Sequence, residues 1–218
     1  MRFRDRTDAG ERLAEALSGY RGGRTAVVGL ARGGVVVASA VARALDVPLY
    51  VTVVRKLGHP RQPELGLGAV AEDGVPVWNE AALSRFRLDE RATYQVLARE
   101  RAELTRRLRR YRSARLPERL DGRTVIVVDD GLATGGSARA ALTYVAGKRP
   151  ARLVLAVPVG APDVVRMLRP EVDELVVLAS PRELRAIGEW YDRFDQCDDA
   201  QVLDALSGDH GEPFSRFN

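Results

Sequence analysis

Two adjacent carboxylates, Asp129 and Asp130, stand between an apolar run and a glycine-rich loop. The run, residues 125–128, reads Val-Ile-Val-Val, which is typical of a strand buried on both faces of a parallel sheet. The loop, residues 131–137, reads Gly-Leu-Ala-Thr-Gly-Gly-Ser, and an Ala-rich helix is predicted from Ser137 to about Gly147. The carboxylates therefore lie at the carboxyl end of a strand, where open α/β sheets bind their ligands.

This combination of residue types favours a sugar phosphate as the ligand. A glycine-rich loop can turn backbone N–H groups toward an anion, and the start of a helix adds partial positive charge, so a phosphate fits there. The carboxylates repel a phosphate and instead suit a diol or a metal ion nearby. An Asp-Gly turn without function is the alternative. Neither a Gly-Lys-Ser/Thr sequence nor the G-x-G-x-x-G spacing of dinucleotide-binding loops occurs in this stretch.

A second junction of the same kind occurs earlier in the chain. A short apolar strand is predicted from Thr25 to Gly29, and a Val- and Ala-rich helix from Val35 to Leu45. Between them lie Leu-Ala followed by Arg32, Gly33 and Gly34. The two glycines allow backbone N–H groups to approach an oxyanion, and Arg32 can add a charge-assisted contact. The alternative is that these glycines only allow a helix to pack closely.

Two further cations, Arg55 and Lys56, end the next predicted strand, Leu49–Val54. The following ten residues, 57–66, contain two prolines, two glycines and Arg61, which predicts a mobile loop of a length typical of lids. We expect the two cations to act on a ligand under this lid. Two solvated surface charges are the alternative.

The remaining pattern alternates strands and helices, which predicts an α/β fold with a parallel sheet covered by helices. Thr7 is expected to cap a first short helix and Asp198 a last one that ends near Leu206. A hairpin is predicted through Glu72-Asp73-Gly74. The other predicted elements are strands Leu67–Ala71, Val75–Trp78, Arg152–Val157 and Asp173–Leu178 and helices Glu80–Phe86, Asp89–Ser113 and Pro162–Leu168.

Composition narrows the classes of function. The 218 residues fit one domain, predicted over residues 1–218 with a core at about 24–180 and a loose tail at 207–218. One cysteine and two histidines exclude an internal disulfide and a histidine-rich metal site. No apolar run is long enough to span a membrane, and we expect a cytoplasmic protein. A net charge of +4 makes nucleic acid a candidate partner, and a polyanionic small substrate accounts for this charge equally well. The arginine-rich face on the helix at 89–113 favours a solvated surface first and a nucleic-acid patch second.

The stretch from Val125 to Ser137 resembles the phosphoribosyl pyrophosphate (PRPP) signature of type I phosphoribosyltransferases, and its Asp-Asp-x-x-Ala-Thr-Gly-Gly form looks most like adenine phosphoribosyltransferase. The whole pattern resembles poorly characterised bacterial members of that family. The resemblance implies a central sheet of order 3-2-1-4-5 and a small hood from residues 1–20 and 181–206. It also implies a homodimer.

The resemblance assigns roles to individual residues. Asp129 and Asp130 would bind the ribose hydroxyls. The glycine-rich loop that follows them would bind the 5′-phosphate; its residues are Gly131, Leu132, Ala133, Thr134, Gly135, Gly136 and Ser137. Arg32, Gly33 and Gly34 would bind pyrophosphate, with a cis peptide at Ala31–Arg32. Arg55 and Lys56 would stabilise the leaving group under a lid formed by residues 57–66.

The resemblance is weaker on the nucleobase side. Gly188 and Asp192 repeat the spacing of a stretch in hypoxanthine-guanine enzymes, which implies that Trp190 or Tyr191 stacks on the base and that Asp192 lies near the metal. Packing of the two aromatic rings is the alternative. Those enzymes carry an aspartate, a candidate general base, where this chain has Ala133.

The expected activity is transfer of ribose 5-phosphate from PRPP to a nucleobase, with Mg²⁺ held near Asp129, Asp130 and Asp192. The sequence does not name the base. A regulator that keeps the fold to sense nucleotides or bind RNA is the alternative, and the arginine-rich helix is the feature that supports it.

Overall fold

The computed structural model describes residues 1–86, 90–208 and 210, and within them the central element is a parallel sheet of five strands. The strands lie in the order β2-β1-β6-β7-β8. Their bounds are β1 Thr25–Ala31, β2 Leu49–Val53, β6 Thr124–Val128, β7 Arg152–Val159 and β8 Glu174–Ala179. β1 and β6 are neighbours, with Gly29 opposite Val128 in the register, so the loops that follow these two strands emerge side by side.

Burial on both faces explains the apolar sequence of β6. Val125 and Val127 pack into the core on one side of the sheet, whereas Ile126 and Val128 pack into the core on the other side. Successive side chains of a strand point to opposite faces, so a strand in the middle of a three-layer fold needs apolar residues at every position. The predicted α/β class is confirmed.

Helices cover both faces of the sheet. Their bounds are α1 Arg6–Ala16, α2 Gly33–Leu45, α3 Glu80–Phe86, α4 Glu90–Arg110, α5 Gly136–Gly147, α6 Pro162–Leu168 and α7 Asp199–Ser207. α1 and α2 pack together on one face, and α5 and α6 supply core residues on the other. α1 therefore belongs to a helical layer, although residues 1–20 were predicted to form part of a hood. No helix in the described part of the chain is long and apolar enough to cross a membrane.

The predicted mobile loop at residues 57–66 is instead part of a second, antiparallel sheet. Its strands are β3 Arg55–His59, β4 Gln62–Val70 and β5 Pro76–Trp78, in that order. Leu57 and Leu67 are fully buried and anchor the hairpin to the core beneath it. The prediction was wrong because the prolines and glycines lie at the hairpin turn and at register shifts rather than in a free loop.

The same hairpin changes the expected strand order. Counted along the chain, the five parallel strands lie in the order 2-1-3-4-5 rather than 3-2-1-4-5. Only Val54 separates β2 from β3, and a parallel neighbour would need a crossover of a dozen or more residues. The chain therefore turns away into the antiparallel sheet. On the outer side of β2, the described residues form no further strand of the parallel sheet, only an isolated parallel bridge between Val51 and Arg115.

Element ends differ from the sequence predictions in detail. Asp5, not Thr7, caps α1 by accepting hydrogen bonds from the backbone N–H groups of Thr7 and Asp8. Asp198 caps α7 through a reciprocal pair with Gln201, as predicted. The predicted helix start at Asp89 and most of the predicted tail, residues 209 and 211–218, lie outside the described residues.

Candidate active site

A cavity of about 350 Å³ opens at the carboxyl edge of the parallel sheet, between the loops that follow β1 and β6. We call the side made by these loops and by the end of β2 the sheet wall; its lining residues are Leu30, Ala31, Arg32, Gly33, Val54, Lys56, Asp129, Asp130, Gly131, Leu132, Ala133, Thr134, Gly135, Ser137 and Ala138. The opposite side, the terminal wall, consists of Arg6, Ile187 and Phe194. Of the predicted PRPP-binding residues, Gly34 and Gly136 are outside this lining.

The acidic pair occupies the centre of the sheet wall. Asp129 Oδ1 accepts a hydrogen bond from the backbone N–H of Asp130 at 2.9 Å. Burial raises the pKa of Asp129 well above its ordinary value of 3.8, and the adjacent charge of Asp130 raises it further. Burial also raises the pKa of Asp130, against the opposing effect of Arg6. The pair is therefore costly to keep ionised until a positive or hydrogen-bonding ligand arrives.

The two glycines after β1 allow the two loops to approach each other. A Cβ atom on Gly33 would lie 2.0 Å from Asp130 Oδ2, and one on Gly34 would lie 2.9 Å from both the Asp129 Cα atom and the Val128 carbonyl oxygen. No larger residue fits at either position without displacing the acidic pair or the end of β6. Close packing thus accounts for both glycines whether or not they bind an anion. The peptide between Ala31 and Arg32 is cis, as predicted.

The loop of residues 131–137 leads directly into α5. Gly135 adopts a left-handed conformation, with φ of 76°, and the helix begins at Gly136, one residue before the predicted start. Among the residues that the structure describes, no side chain caps this helix start, so its first-turn N–H groups are left for a ligand. Thr134 is exposed, and Ser137 is half-buried at the cavity surface. This end of the sheet wall therefore has the donors that a phosphate needs.

Arg55 and Lys56 point in different directions. Lys56 lines the cavity, whereas Arg55 donates from Nε and Nη2 to Glu100 of α4 at 2.9 and 2.7 Å. Both residues lie in β3, where successive side chains alternate between faces, so only one of them can reach the ligand. Arg55 was predicted as a catalytic residue; in this structure its guanidinium pairs with a buried carboxylate outside the cavity lining.

The terminal wall differs from the sequence prediction. Tyr191 is 2 % exposed, packs against Phe3 and Phe194, and donates its hydroxyl to the Asp130 carbonyl oxygen at 2.7 Å. Trp190 packs in the same cluster, and neither ring lines the cavity, so neither is placed to stack on a base. The residues of this segment that do line it are Ile187, which covers Gly131, and Phe194.

Asp192 does not join the acidic pair. Its carboxylate is exposed and pairs with Arg2 at 2.8 Å, outside the cavity lining. Asp192, which was predicted to lie near a metal, is thus separate from the acidic pair in this structure. Within the described residues, no group of three or more His, Cys, Asp or Glu side chains could hold a metal ion. Asp129 and Asp130 remain as oxygen donors at the cavity surface.

Arg6 lines the cavity but was not among the site residues predicted from the sequence. Its Nε donates to Asp130 Oδ2 at 2.9 Å, although the two residues are 124 positions apart. Arg6 is the first residue of α1 in a segment that contains several other arginines. Nothing in its local sequence separates it from those neighbours, so only the tertiary fold identifies it.

Most of the arginines on α4 and its C-terminal end have acidic or backbone partners. Arg106 and Arg107 share Glu103, Arg99 pairs with Glu100, and Arg110 pairs with Asp199 of α7. Arg101 donates to the Gly74 carbonyl oxygen. These contacts tie α4 to its neighbours, which agrees with the first interpretation of the arginine-rich face, although α4 still carries seven arginines against three glutamates.

Comparison with known proteins agrees with the site geometry. Residues 4–178 match the phosphoribosyl transferase domain family. Two curated proteins from Mycobacterium tuberculosis, strains CDC 1551 and H37Rv, whose names assign them to the phosphoribosyl transferases, are 44% identical over 208 residues. That match covers 95% of this chain and 47% of each relative, so the chain spans about half of their length.

A solved structure supports the same assignment. The crystal structure of TT1426 from Thermus thermophilus superposes with a TM-score of 0.78 at 44% identity, covering 94% of this chain and 98% of that one. The matched family region contains both loops of the sheet wall and the acidic pair between them. The chain therefore belongs to the phosphoribosyl transferase family.

Proposed function

We propose that this protein transfers ribose 5-phosphate from PRPP to the nitrogen of a nucleobase and releases pyrophosphate. The observation that carries the proposal is the sheet wall, which brings an acidic pair, an uncapped helix start and a lysine to one cavity. PRPP has a diol between a phosphate and a diphosphate. The acidic pair suits the diol, the helix start suits the phosphate, and the lysine suits the diphosphate.

The chain's residues suggest an orientation for PRPP. The 5′-phosphate would accept hydrogen bonds from the loop of residues 131–137 and the start of α5. The ribose hydroxyls would donate to Asp129 and Asp130. The diphosphate would then extend toward Arg32 and Lys56, the cations of the sheet wall, and we expect pyrophosphate alone to bind at the loop of residues 32–34 in a Mg²⁺-dependent way.

In the reaction, the lone pair of the acceptor nitrogen forms a bond to C1′, and the bond from C1′ to the pyrophosphate oxygen breaks with its electron pair leaving on pyrophosphate. The N–H proton of the acceptor is released to solvent. Positive charge develops on the ribose and negative charge on the leaving group. Asp129 and Asp130 favour the cationic sugar, and Lys56 and Arg32 favour the departing anion.

Mg²⁺ is consistent with the residues present. It binds through one or two carboxylates together with substrate phosphates and keeps several waters, so a dedicated cage of three side chains is not required. Asp129 and Asp130 would hold it with the ribose and diphosphate oxygens. When bound, the ion would supply positive charge to the leaving group.

The acceptor would lie between the ribose and the terminal wall. Ile187 and Phe194 present apolar surface there, and Ala133 offers no acid or base. The base would therefore be selected mainly by shape and by backbone groups, which leaves several bases open.

Pyrophosphate release tests the proposal. Purified protein would be mixed with PRPP, Mg²⁺ and each member of a panel of purines and pyrimidines, and we expect release with at least one base and none without a base. The nucleotide regulator is the second outcome: PRPP binds, and no base gives turnover. RNA binding that weakens steeply with salt would then favour the regulator.

A further inference from the structure

We infer that Arg6 is a positioning residue that holds the Asp130 carboxylate in the orientation in which it binds the ribose. This inference rests on the proposed function, because it concerns the part of the cavity assigned to the ribose. Arg6 and Asp130 have side chains that are only 13% and 18% exposed, and both line the cavity.

The guanidinium of Arg6 is fixed independently of Asp130. Its Nη1 donates to the Asp195 carbonyl oxygen at 2.9 Å, and its central carbon lies 3.9 Å from the centroid of the Phe194 ring. Both contacts come from the C-terminal segment, on the terminal wall. A guanidinium held by a backbone carbonyl and an aromatic face has little freedom to swing away, so its Nε presents a fixed donor to Asp130.

Only one oxygen of Asp130 is used in this way. Nε of Arg6 binds Oδ2, and a carboxylate accepts several hydrogen bonds through its two oxygens. The contact therefore fixes the plane of the carboxylate and leaves acceptor capacity for a sugar hydroxyl. Arg6 thus orients Asp130 without competing with the ribose, because it would block the sugar hydroxyl only if it occupied both carboxylate oxygens.

Gly33 provides the space for this ion pair. A Cβ atom there would lie 2.0 Å from Asp130 Oδ2 and 2.7 Å from Arg6 Nε. The pair lies directly against the Cα atom of Gly33, so the loop after β1, the N-terminus and the acidic pair meet at one point. Tyr191 adds a contact from the C-terminal side through its bond to the Asp130 carbonyl oxygen.

The test is a set of calorimetric titrations with three probes: PRPP with Mg²⁺, ribose 5-phosphate, and pyrophosphate with Mg²⁺. The variants are Arg6→Met, Arg6→Lys and the control Arg4→Met, which removes an exposed arginine of the same segment that pairs with Asp8 outside the cavity. Arg6→Met should weaken PRPP and ribose 5-phosphate about tenfold and leave pyrophosphate within about twofold. Arg6→Lys should recover part of the loss, and Arg4→Met should change none of the three affinities.

A double-mutant cycle separates positioning from a merely structural role. In the Asp130→Asn background, Arg6→Met should cost less than about threefold in PRPP affinity, because the residue on which Arg6 acts has already been changed. Equal losses in both backgrounds would overturn the inference, as would tighter ribose 5-phosphate binding by Arg6→Met or a matching loss of pyrophosphate. If the parent protein binds neither PRPP nor ribose 5-phosphate, the proposed function fails and the inference fails with it.

Discussion

The sheet wall and the terminal wall of the cavity are built in different ways. The sheet wall consists mainly of two continuous loops, and the register between β1 and β6 fixes their positions. The terminal wall is assembled from the two ends of the chain, where Phe3 pairs with Tyr191 and Arg6 contacts residues 194 and 195. One wall presents backbone groups and carboxylates, whereas the other presents only a few side chains.

This difference suggests a division of tasks. Backbone donors and an acidic pair fixed by parallel strands suit the unchanging part of a ligand, which in our proposal is PRPP. Side chains such as Ile187 and Phe194 can change by single substitutions without altering the sheet. We therefore expect acceptor specificity to depend on Ile187 and Phe194 of the terminal wall. PRPP binding should depend on the sheet wall and on Arg6, the terminal-wall residue that binds Asp130.

The largest expected effect comes from filling the gap between the two loops of the sheet wall. Gly33→Ala should weaken PRPP binding by roughly tenfold to a hundredfold, because the added methyl group displaces Asp130 and Arg6 at an overpacking cost of about 1–3 kcal/mol. The matched control is Gly147→Ala, where a Cβ atom would meet no atom within 4 Å. Calorimetric PRPP affinity is the measurement, and equal affinities in the two variants would contradict the predicted contact.

The next comparison is between adjacent cations of β3. Lys56→Ala should lower turnover by about tenfold and PRPP affinity by less, because leaving-group charge grows toward the transition state. Arg55→Ala should leave PRPP affinity unchanged and destabilise the fold by about 1–3 kcal/mol, because it removes a partner of the buried Glu100. Turnover, PRPP affinity and denaturant unfolding would be measured for both variants. If the two variants lost turnover to a similar extent, Arg55 would have to act on the ligand as well.

Removal of the Tyr191 hydroxyl tests the link between the two walls. Tyr191→Phe keeps the ring in its packed cluster and loses the hydrogen bond to the Asp130 carbonyl oxygen. We expect a loss of about 1 kcal/mol in unfolding free energy and a fewfold weaker PRPP affinity. The same base should still be preferred in the pyrophosphate assay. A change of preferred base would mean that Tyr191 contacts the acceptor after all.

The smallest expected effect is on stability and depends on pH. Because the pKa of Asp129 is raised in the folded state, this group favours the fold fully below its unfolded pKa near 3.8 and loses that contribution as pH rises through the folded pKa. Asp129→Asn should therefore raise Tm by a few degrees at neutral pH, and the difference should vanish toward pH 4. Thermal unfolding across this pH range is the measurement. A lower Tm at neutral pH would contradict the unfavourable burial of this charge.

Much of the sheet wall could be predicted from the sequence, because the residues that form it are adjacent in the chain. An apolar run, two carboxylates and a glycine loop adjoin in the chain, so the position of Asp129, Asp130 and residues 131–137 at the strand end followed from the pattern. The cis peptide at Ala31–Arg32 also followed, from resemblance. Glycine spacing could not distinguish anion binding from close packing, and the structure shows that Gly33 and Gly34 are required for packing.

The terminal wall could not be predicted because its contacts join residues far apart in the chain. Arg6 reaches Asp130 across 124 positions, and no periodicity distinguishes it from other arginines. Trp190 and Tyr191 match an aromatic position of a known stretch, but Tyr191 is buried and Trp190 packs half-buried against the same cluster. The direction of the Arg55 side chain could not be predicted, because the chain was expected to leave the sheet as a loop at that position. It continues as a strand, in which successive side chains alternate between faces.

The proposed function depends most directly on whether the acidic pair binds the ribose of PRPP. Titration of PRPP with Mg²⁺ into the parent protein and into Asp130→Asn, followed by calorimetry, tests this point. We predict saturable binding of one PRPP per chain by the parent and a loss of tenfold or more in the variant, on the order of 1.4 kcal/mol. Equal affinities for the parent and the variant, or no saturable binding by the parent, would contradict the account.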